Sequence, residues 1–178
     1  MNSNIASYND IAPDIADGVF IHPSAQIIGN VVVGERSSIW CGVVVRGDVN
    51  SIRIGAETNV QDLSVLHVSH KSTTRPEGAP LLIGNRVTIG HRVILHGCEI
   101  GDECLIGMGS IVMDGAVLEP HALLGAGSLV PEGVRLKSGC LYLGSPVREV
   151  RTLTADELAY FSYSAAHYIR LQQGYRKV

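Results

Sequence analysis

Aromatic side chains are scarce: two Phe, one Trp and six Tyr make up 5% of 178 residues, although 46% of the chain is hydrophobic. An ordinary globular core fills volume with aromatic rings, so the apolar fraction here points to narrow layers of small aliphatics. Nowhere does an uncharged apolar run approach the roughly 20 residues of a membrane span, and no membrane association is expected. Positive charge is not concentrated either. Fourteen Lys and Arg against 17 Asp and Glu leave a net charge of −3, so nucleic acid and anionic lipid are not expected partners. The opening MNSNIASYNDIAPDIADGVF has neither a basic n-region nor an apolar h-region, which predicts a cytoplasmic chain. Cys41, Cys98, Cys104 and Cys140 show no CxxC spacing. They read as reduced, core-filling thiols, with no Cys98–Cys104 bridge expected.

What is abundant is glycine, 20 residues, together with Val and Ile arranged in a repeat. An aliphatic recurs every six positions from Ile21 through Ile27, Val33, Ile39 and Val45. After a slip the register resumes at Ile54, Val60 and Leu66, then at Ile83, Ile89 and Leu95, and finally runs from Ile100 to Val130. Small residues such as Ala25, Ser37, Thr58 and Ser64 sit four places after each aliphatic, and Gly often follows it directly. A six-residue unit of one short strand and one corner explains this pattern, because three units make a triangular coil and successive coils pair as parallel strands. The sequence therefore predicts an all-β, left-handed parallel β-helix of hexapeptide repeats over 21–152, of about six coils and on the order of 30 Å long. A non-periodic stretch, 68–80, is expected to leave the coil as a loop. Residues 1–20 form an N-terminal segment. Within 153–178, Thr154 and Glu157 make a capping box for a helix of roughly 17 residues, with Leu158, Phe161, Ala165, Tyr168 and Ile169 at helical spacing and expected to pack along the prism.

The repeat assigns the histidines to walls. Leu66 and Leu95 lie three units apart on the same wall, so His67 and His96 point outward side by side at roughly 5 Å, a spacing that suits two nitrogens on one metal ion. Arg46 falls in the same outward column. His91 follows Ile89 by two positions and faces another direction, about 16 Å of chain from His96. It meets the other two only across a threefold assembly of prisms, so a homotrimer with interfacial metal sites is expected. His22, His121 and His167 read as surface residues.

The stretches VVVRGD (43–48), NVQDLSVLHVSHK (59–71), IGHRVILHGCEIGDECLIGMGSIVMDGA (89–116) and LYLGSP (141–146) resemble the γ-class carbonic anhydrases, and most closely their bacterial YrdA-like branch, from about Val19 to Tyr175. The resemblance implies that His67 and His96 of one subunit and His91 of the next bind Zn²⁺, or Fe²⁺ or Co²⁺, whose hydroxide attacks CO₂ to give bicarbonate. It implies that Gln61 hydrogen-bonds the metal's water and that Arg46, Asp48 and Asp62 form an interfacial ion-pair network. Asn59 matches a residue that orients substrate or water. Tyr168 is chosen for the family's active-site tyrosine, ahead of Tyr163. Val49 stands where the family's best-known active member has an acidic residue, and the loop offers His70, Lys71 and Glu77 in place of a proton-shuttling glutamate, which leaves rapid turnover without its usual support. Alternatives are a metal-dependent CoA-thioester hydrolase, which the PaaY-type relatives permit, or a non-catalytic metal-binding trimer. A CoA-dependent acyltransferase fits less well, since three histidines exceed the lone base such enzymes use.

Overall fold

The computed structural model describes residues 4–175, and every third repeat unit stacks on its predecessor. Along the first face Ile5, Ile27, Val45, Leu66, Leu95, Val112 and Val130 lie in parallel register. The second face stacks Ile15, Val33, Ile54, Ile83, Ile100, Leu118 and Leu136. The third stacks Ile21, Ile39, Val60, Ile89, Ile106, Leu124 and Tyr142. This is the parallel β-helix that the repeat predicts. From Ile27 onward all these side chains point inward and are buried. The strands Gln26–Val33 and Val44–Ile54 run unbroken round the corner between the first and second faces, which joins them into one sheet.

The stack starts earlier than Ile21. Ile5–Ala6 and Asp14–Ile15 pair on Gln26–Val33 and cover what would be a bare strand edge, so the solenoid is longer than the six coils expected. At its other end Val147–Thr152 pairs antiparallel with Cys140–Gly144.

The small positions have a physical reason. Buried hydroxyls of Ser37, Thr58, Ser64 and Ser110 donate to the carbonyls of Gly55, Gly84, Gly90 and Gly125, at 2.7, 2.8, 3.0 and 3.1 Å. These four corners thus place a short polar side chain where a turn carbonyl needs a donor, while others are filled by Ala or Val. All four cysteines are free, and burial pushes the Cys104 thiol up to about 12.

The loop leaves after buried Val68 and returns through paired backbone hydrogen bonds between Ser69 and Ala79 at 3.0 and 3.1 Å. Asn50 Nδ2 clamps both arms, donating to Ser69 O and Glu77 O at 3.1 and 2.9 Å. Gly78 sits at φ +65°, and a Cβ there would lie 2.4 Å from Ser69 O, so only glycine closes this loop.

The C-terminal helix, Ala155–Tyr175, is capped as expected: Thr154 N donates to Glu157 Oε2 at 2.9 Å, and Glu157 N to Thr154 Oγ1 at 3.3 Å. It covers the third face. Ser164 meets Thr88 at 2.8 Å, Tyr168 lies edge-on to Trp40, and Gln172 reaches Arg36 O. Its buried residues are Phe161, Ser164, Ala165 and Gln172, while Leu158 in the first turn stays exposed, so the contact stripe lies one turn further along than the apolar spacing suggests. Among the described residues, no helix is long and apolar enough to cross a membrane.

Candidate metal centre

The first face has two edges, and the histidines divide between them. Strands Val65–His67 and Ile94–His96 pair in register, which brings His67 and His96 side by side at the edge where the loop departs. His67 Nδ1 lies 3.1 Å from His96 Nε2, with ring centroids 5.0 Å apart. The far nitrogen of each ring meets a carboxylate: His67 Nε2 is 3.1 Å from Asp48 Oδ1, and His96 Nδ1 is 2.5 Å from Asp114 Oδ1. Arg46, two residues before Asp48 on the same strand, pairs with the other oxygen of that aspartate.

These partners decide which nitrogens carry protons. Burial alone would push the Asp48 carboxyl up, but hydrogen bonds from Arg46 and His67 outweigh it and hold Asp48 below the usual carboxylate range. For Asp114 the same opposition is won by Ser69, His96 and Arg75. An ionised carboxylate only accepts, so each aspartate takes an N–H. With that choice of tautomers the two remaining nitrogens face one another with lone pairs, acceptor against acceptor, a geometry that could accommodate a cation between them. Burial holds the His67 imidazole below its ordinary range, helped by Arg46 and opposed by Asp48, which disfavours a proton in that role. The separation fits a metal: two nitrogens at about 2.0–2.1 Å from a tetrahedral ion lie about 3.3 Å apart. Carboxylate-backed imidazoles are the usual way to orient such ligands.

His91 occupies the opposite edge, at the corner entering the first face. Its Nδ1 is 2.8 Å from Asp62 Oδ2, leaving Nε2 directed away from that aspartate. Burial raises the Asp62 carboxyl, yet a backbone hydrogen bond, Cys41 and His91 bring it below the usual range. Among the described residues of one chain, no three His, Cys, Asp or Glu side chains cluster to hold a metal ion. Between the two edges runs an exposed apolar column, Val65, Ile94 and Ile111, each about two-fifths exposed, flanked by Leu63 and Met108 at the His91 corner.

The remaining candidates fall in two groups. Gln61 and Asn59 are buried: Gln61 Nε2 donates to Asn59 Oδ1 at 3.0 Å, and Asn59 Nδ2 to Thr88 Oγ1 at 3.1 Å, beneath the helix. Asn59, only 1% exposed, holds Gln61 rather than reaching the surface. Tyr168 is half-buried and its hydroxyl is pushed up by burial first and by the charge of Asp62 second, which puts it on the His91–Asp62 side. Tyr163 is exposed and stacks on His167. His70 is exposed, and Lys71 pairs with Glu77 at 3.2 Å on the loop.

Asp114 was not among the residues expected from sequence, nor were Ser69 and Arg75, which bind its second oxygen at 2.5 and 2.7 Å. A signal existed: Asp114 lies one 18-residue coil beyond His96, and Asp48 lies 19 residues before His67. An acid one coil away from a ligand histidine is therefore worth seeking.

Residues 12–47 and 81–114 match the bacterial transferase hexapeptide family of six repeats. The chain is 50% identical over 175 residues to the protein YrdA of Escherichia coli strain K12, covering 98% of this chain and 95% of that one. It is 46% identical over 166 residues to the mitochondrial gamma carbonic anhydrase 1 of Arabidopsis thaliana, covering 93% of this chain and 60% of that one. A crystal structure of a hexapeptide transferase family protein from Anaplasma phagocytophilum superposes with a TM-score of 0.91 at 42% identity, over 98% of this chain and 99% of that one. With this identity over nearly its whole length, the chain belongs to the hexapeptide-repeat family that includes YrdA and the gamma carbonic anhydrases.

Proposed function

We propose that the chain is a metal-dependent hydratase of the carbonic anhydrase type, converting CO₂ to bicarbonate as a homotrimer in which His67 and His96 of one copy and His91 of the next hold one Zn²⁺, Fe²⁺ or Co²⁺ ion. The observation that carries this reading is the pair of imidazole nitrogens 3.1 Å apart, each ring backed by an aspartate on its other side. Sharing between copies is supported by the first face itself. Its two edges carry complementary parts of a three-nitrogen site, and the apolar column between them is the kind of surface a head-to-tail ring of copies buries.

When bound, a divalent cation held by neutral imidazoles keeps its charge and lowers the pKa of a coordinated water towards about 7. The chain's own groups have separate tasks. Arg46, anchored by Asp48, offers a guanidinium edge to a bicarbonate oxygen. Asn59 fixes the Gln61 amide so that it orients water at the His91 side. Asp62 sets the ring of His91, and Tyr168 stands near that carboxylate.

Stopped-flow CO₂ hydration tests the reading, using zinc-loaded and anaerobically iron-loaded protein with His91→Ala as control. Rates no higher than those of the variant overturn it, and a monomer by light scattering overturns the shared site. Exposed Val49, with no acidic group at that position, favours a second reading of a metal-retaining trimer with slow or different turnover. Release of thiol from acyl-CoA without CO₂ hydration would assign a thioester hydrolase instead.

A further inference from the structure

Asp114 joins the histidine pair to a part of the molecule that the hydratase reading does not use, the loop 68–80. Asp114 is only 9% exposed, and its side-chain hydrogen bonds use both carboxylate oxygens. Oδ1 takes His96 Nδ1 at 2.5 Å, and Oδ2 takes Ser69 Oγ at 2.5 Å and Arg75 Nη1 at 2.7 Å. Ser69 stands where the loop leaves the coil, and Arg75 in its middle. Arg75 Nη2 lies 3.6 Å from Glu132, one coil further on.

The loop is built to hold this geometry. Its two arms are tied by the Ser69–Ala79 bridge and by Asn50, and its own turn by Arg75 N to Ser72 O and Gly78 N to Arg75 O, at 3.3 and 2.9 Å. Gly97, next to His96, makes room for the contact. At φ +52° it would place a Cβ 2.5 Å from Ala79 Cβ and 2.6 Å from Asp114 Oδ1, so any larger residue would collide with the loop and the carboxylate together.

We propose that Asp114 is the positioning residue of His96 and that Ser69 and Arg75 place it under the control of the loop, which thereby fixes the tautomer and aim of His96 and the affinity of the histidine pair for a divalent cation. The affinity clause rests on the metal site proposed above; the tautomer clause does not. Outer partners of ligand histidines typically change metal affinity by about 10–100-fold when removed.

Two readouts on the full-length chain separate these clauses. In chelator-treated protein, two-bond ¹H–¹⁵N correlation spectra report which nitrogen of His96 carries the proton. Wild-type protein is expected to show Nδ1–H alone, and Asp114→Ala a tautomer mixture. Co²⁺ affinity by chelator competition, read through the visible cobalt absorption, is expected to fall about tenfold in Arg75→Ala and to recover in Arg75→Lys. Where Asp114→Ala fails to fold, Arg75→Ala carries both measurements. A single unchanged Nδ1–H tautomer in the variants, or a Co²⁺ affinity that Arg75→Ala leaves within twofold, overturns the proposal. A loss that Arg75→Lys does not recover also overturns it. A wild-type chain that binds no Co²⁺ while His96 responds to Asp114→Ala sinks the metal site and leaves the positioning role standing.

Discussion

The two edges of the first face hold their histidines differently. At the loop edge, the side chains of Asp48 and Asp114 are 15% and 11% exposed and each accepts from further side chains besides a histidine. At the opposite edge Asp62 is 37% exposed and His91 47%. One edge is assembled within the chain from strands, a loop and a corner. The other is a more exposed aspartate–histidine pair, with Cys41 beside the aspartate, presented outward. The difference teaches that the parts of the proposed shared site need not be built alike: His67 and His96 are set by partners within the chain, while His91 is held outward in a form that would tolerate docking.

That contrast can be broken experimentally, and the largest effect belongs to the ligands. His96→Ala and His91→Ala should each lower metal retention at least about 100-fold, beyond the range for outer partners, measured as metal per chain after gel filtration. In metal-free protein they should part in stability, because exposed His91 contributes little to the fold of one chain and its variant should melt within about 0.5 kcal/mol of wild type. A His91→Ala protein that keeps its metal would mean the edges are independent.

Next in size is Gly97→Ala. Forcing a Cβ against Ala79 and Asp114 at φ +52° should cost about 1–3 kcal/mol in guanidinium denaturation, while Gly109→Ala, where the space is open, should cost no more than its φ demands. Asp48→Asn should cost a comparable amount, about 1.5–3 kcal/mol, since it removes a charged acceptor from Arg46 and His67. Asp62→Asn on the exposed edge should cost under about 1 kcal/mol. Equal losses would erase the distinction between the two edges.

The smallest effect lies away from both edges, at the corner between the second and third faces, where Glu103 joins Arg86 at 2.6 Å and His121 at 3.1 Å. Arg86 above all holds the Glu103 carboxyl low, against partial burial and with help from His121. A carboxyl whose pKa falls on folding stabilises above its unfolded value, near 4.3, and that contribution is lost as pH falls through the folded value. Glu103→Gln should therefore cost up to about 1 kcal/mol at pH 7, with the gap to wild type closing below about pH 4 in urea melts.

The β-helix was legible because the inward column repeats every six residues and nothing else competes with it: Leu66 above Val45 and below Leu95 follows from counting alone. The pairing of His67 with His96 came from the same count. Asp114, Ser69 and Arg75 did not, because they converge through a loop whose path has no period and through a corner one coil away. The helix face was only partly legible, since Gln172 and Ser164 are buried by hydrogen bonds to Arg36 O and Thr88 rather than by apolar character. The rung Ile5–Ala6 escaped because ten positions rather than six separate Ile5 from Ile15, which breaks the count, and Asp14–Ile15, six before Ile21, is in register but beyond that break stands alone.

The C-terminal helix has a consequence for how the molecule comes apart. In a stack whose rungs touch only their neighbours, either end can fray without consulting the other. Here the helix begins beside the last rungs and runs back to the first ones, bringing Phe161 near His121, Ser164 to Thr88, Tyr168 to Trp40 and Tyr175 to Phe20. It acts as a splint laid along the pile. Opening either end strips part of the same splint, so a chain of locally independent steps is made to melt as one body.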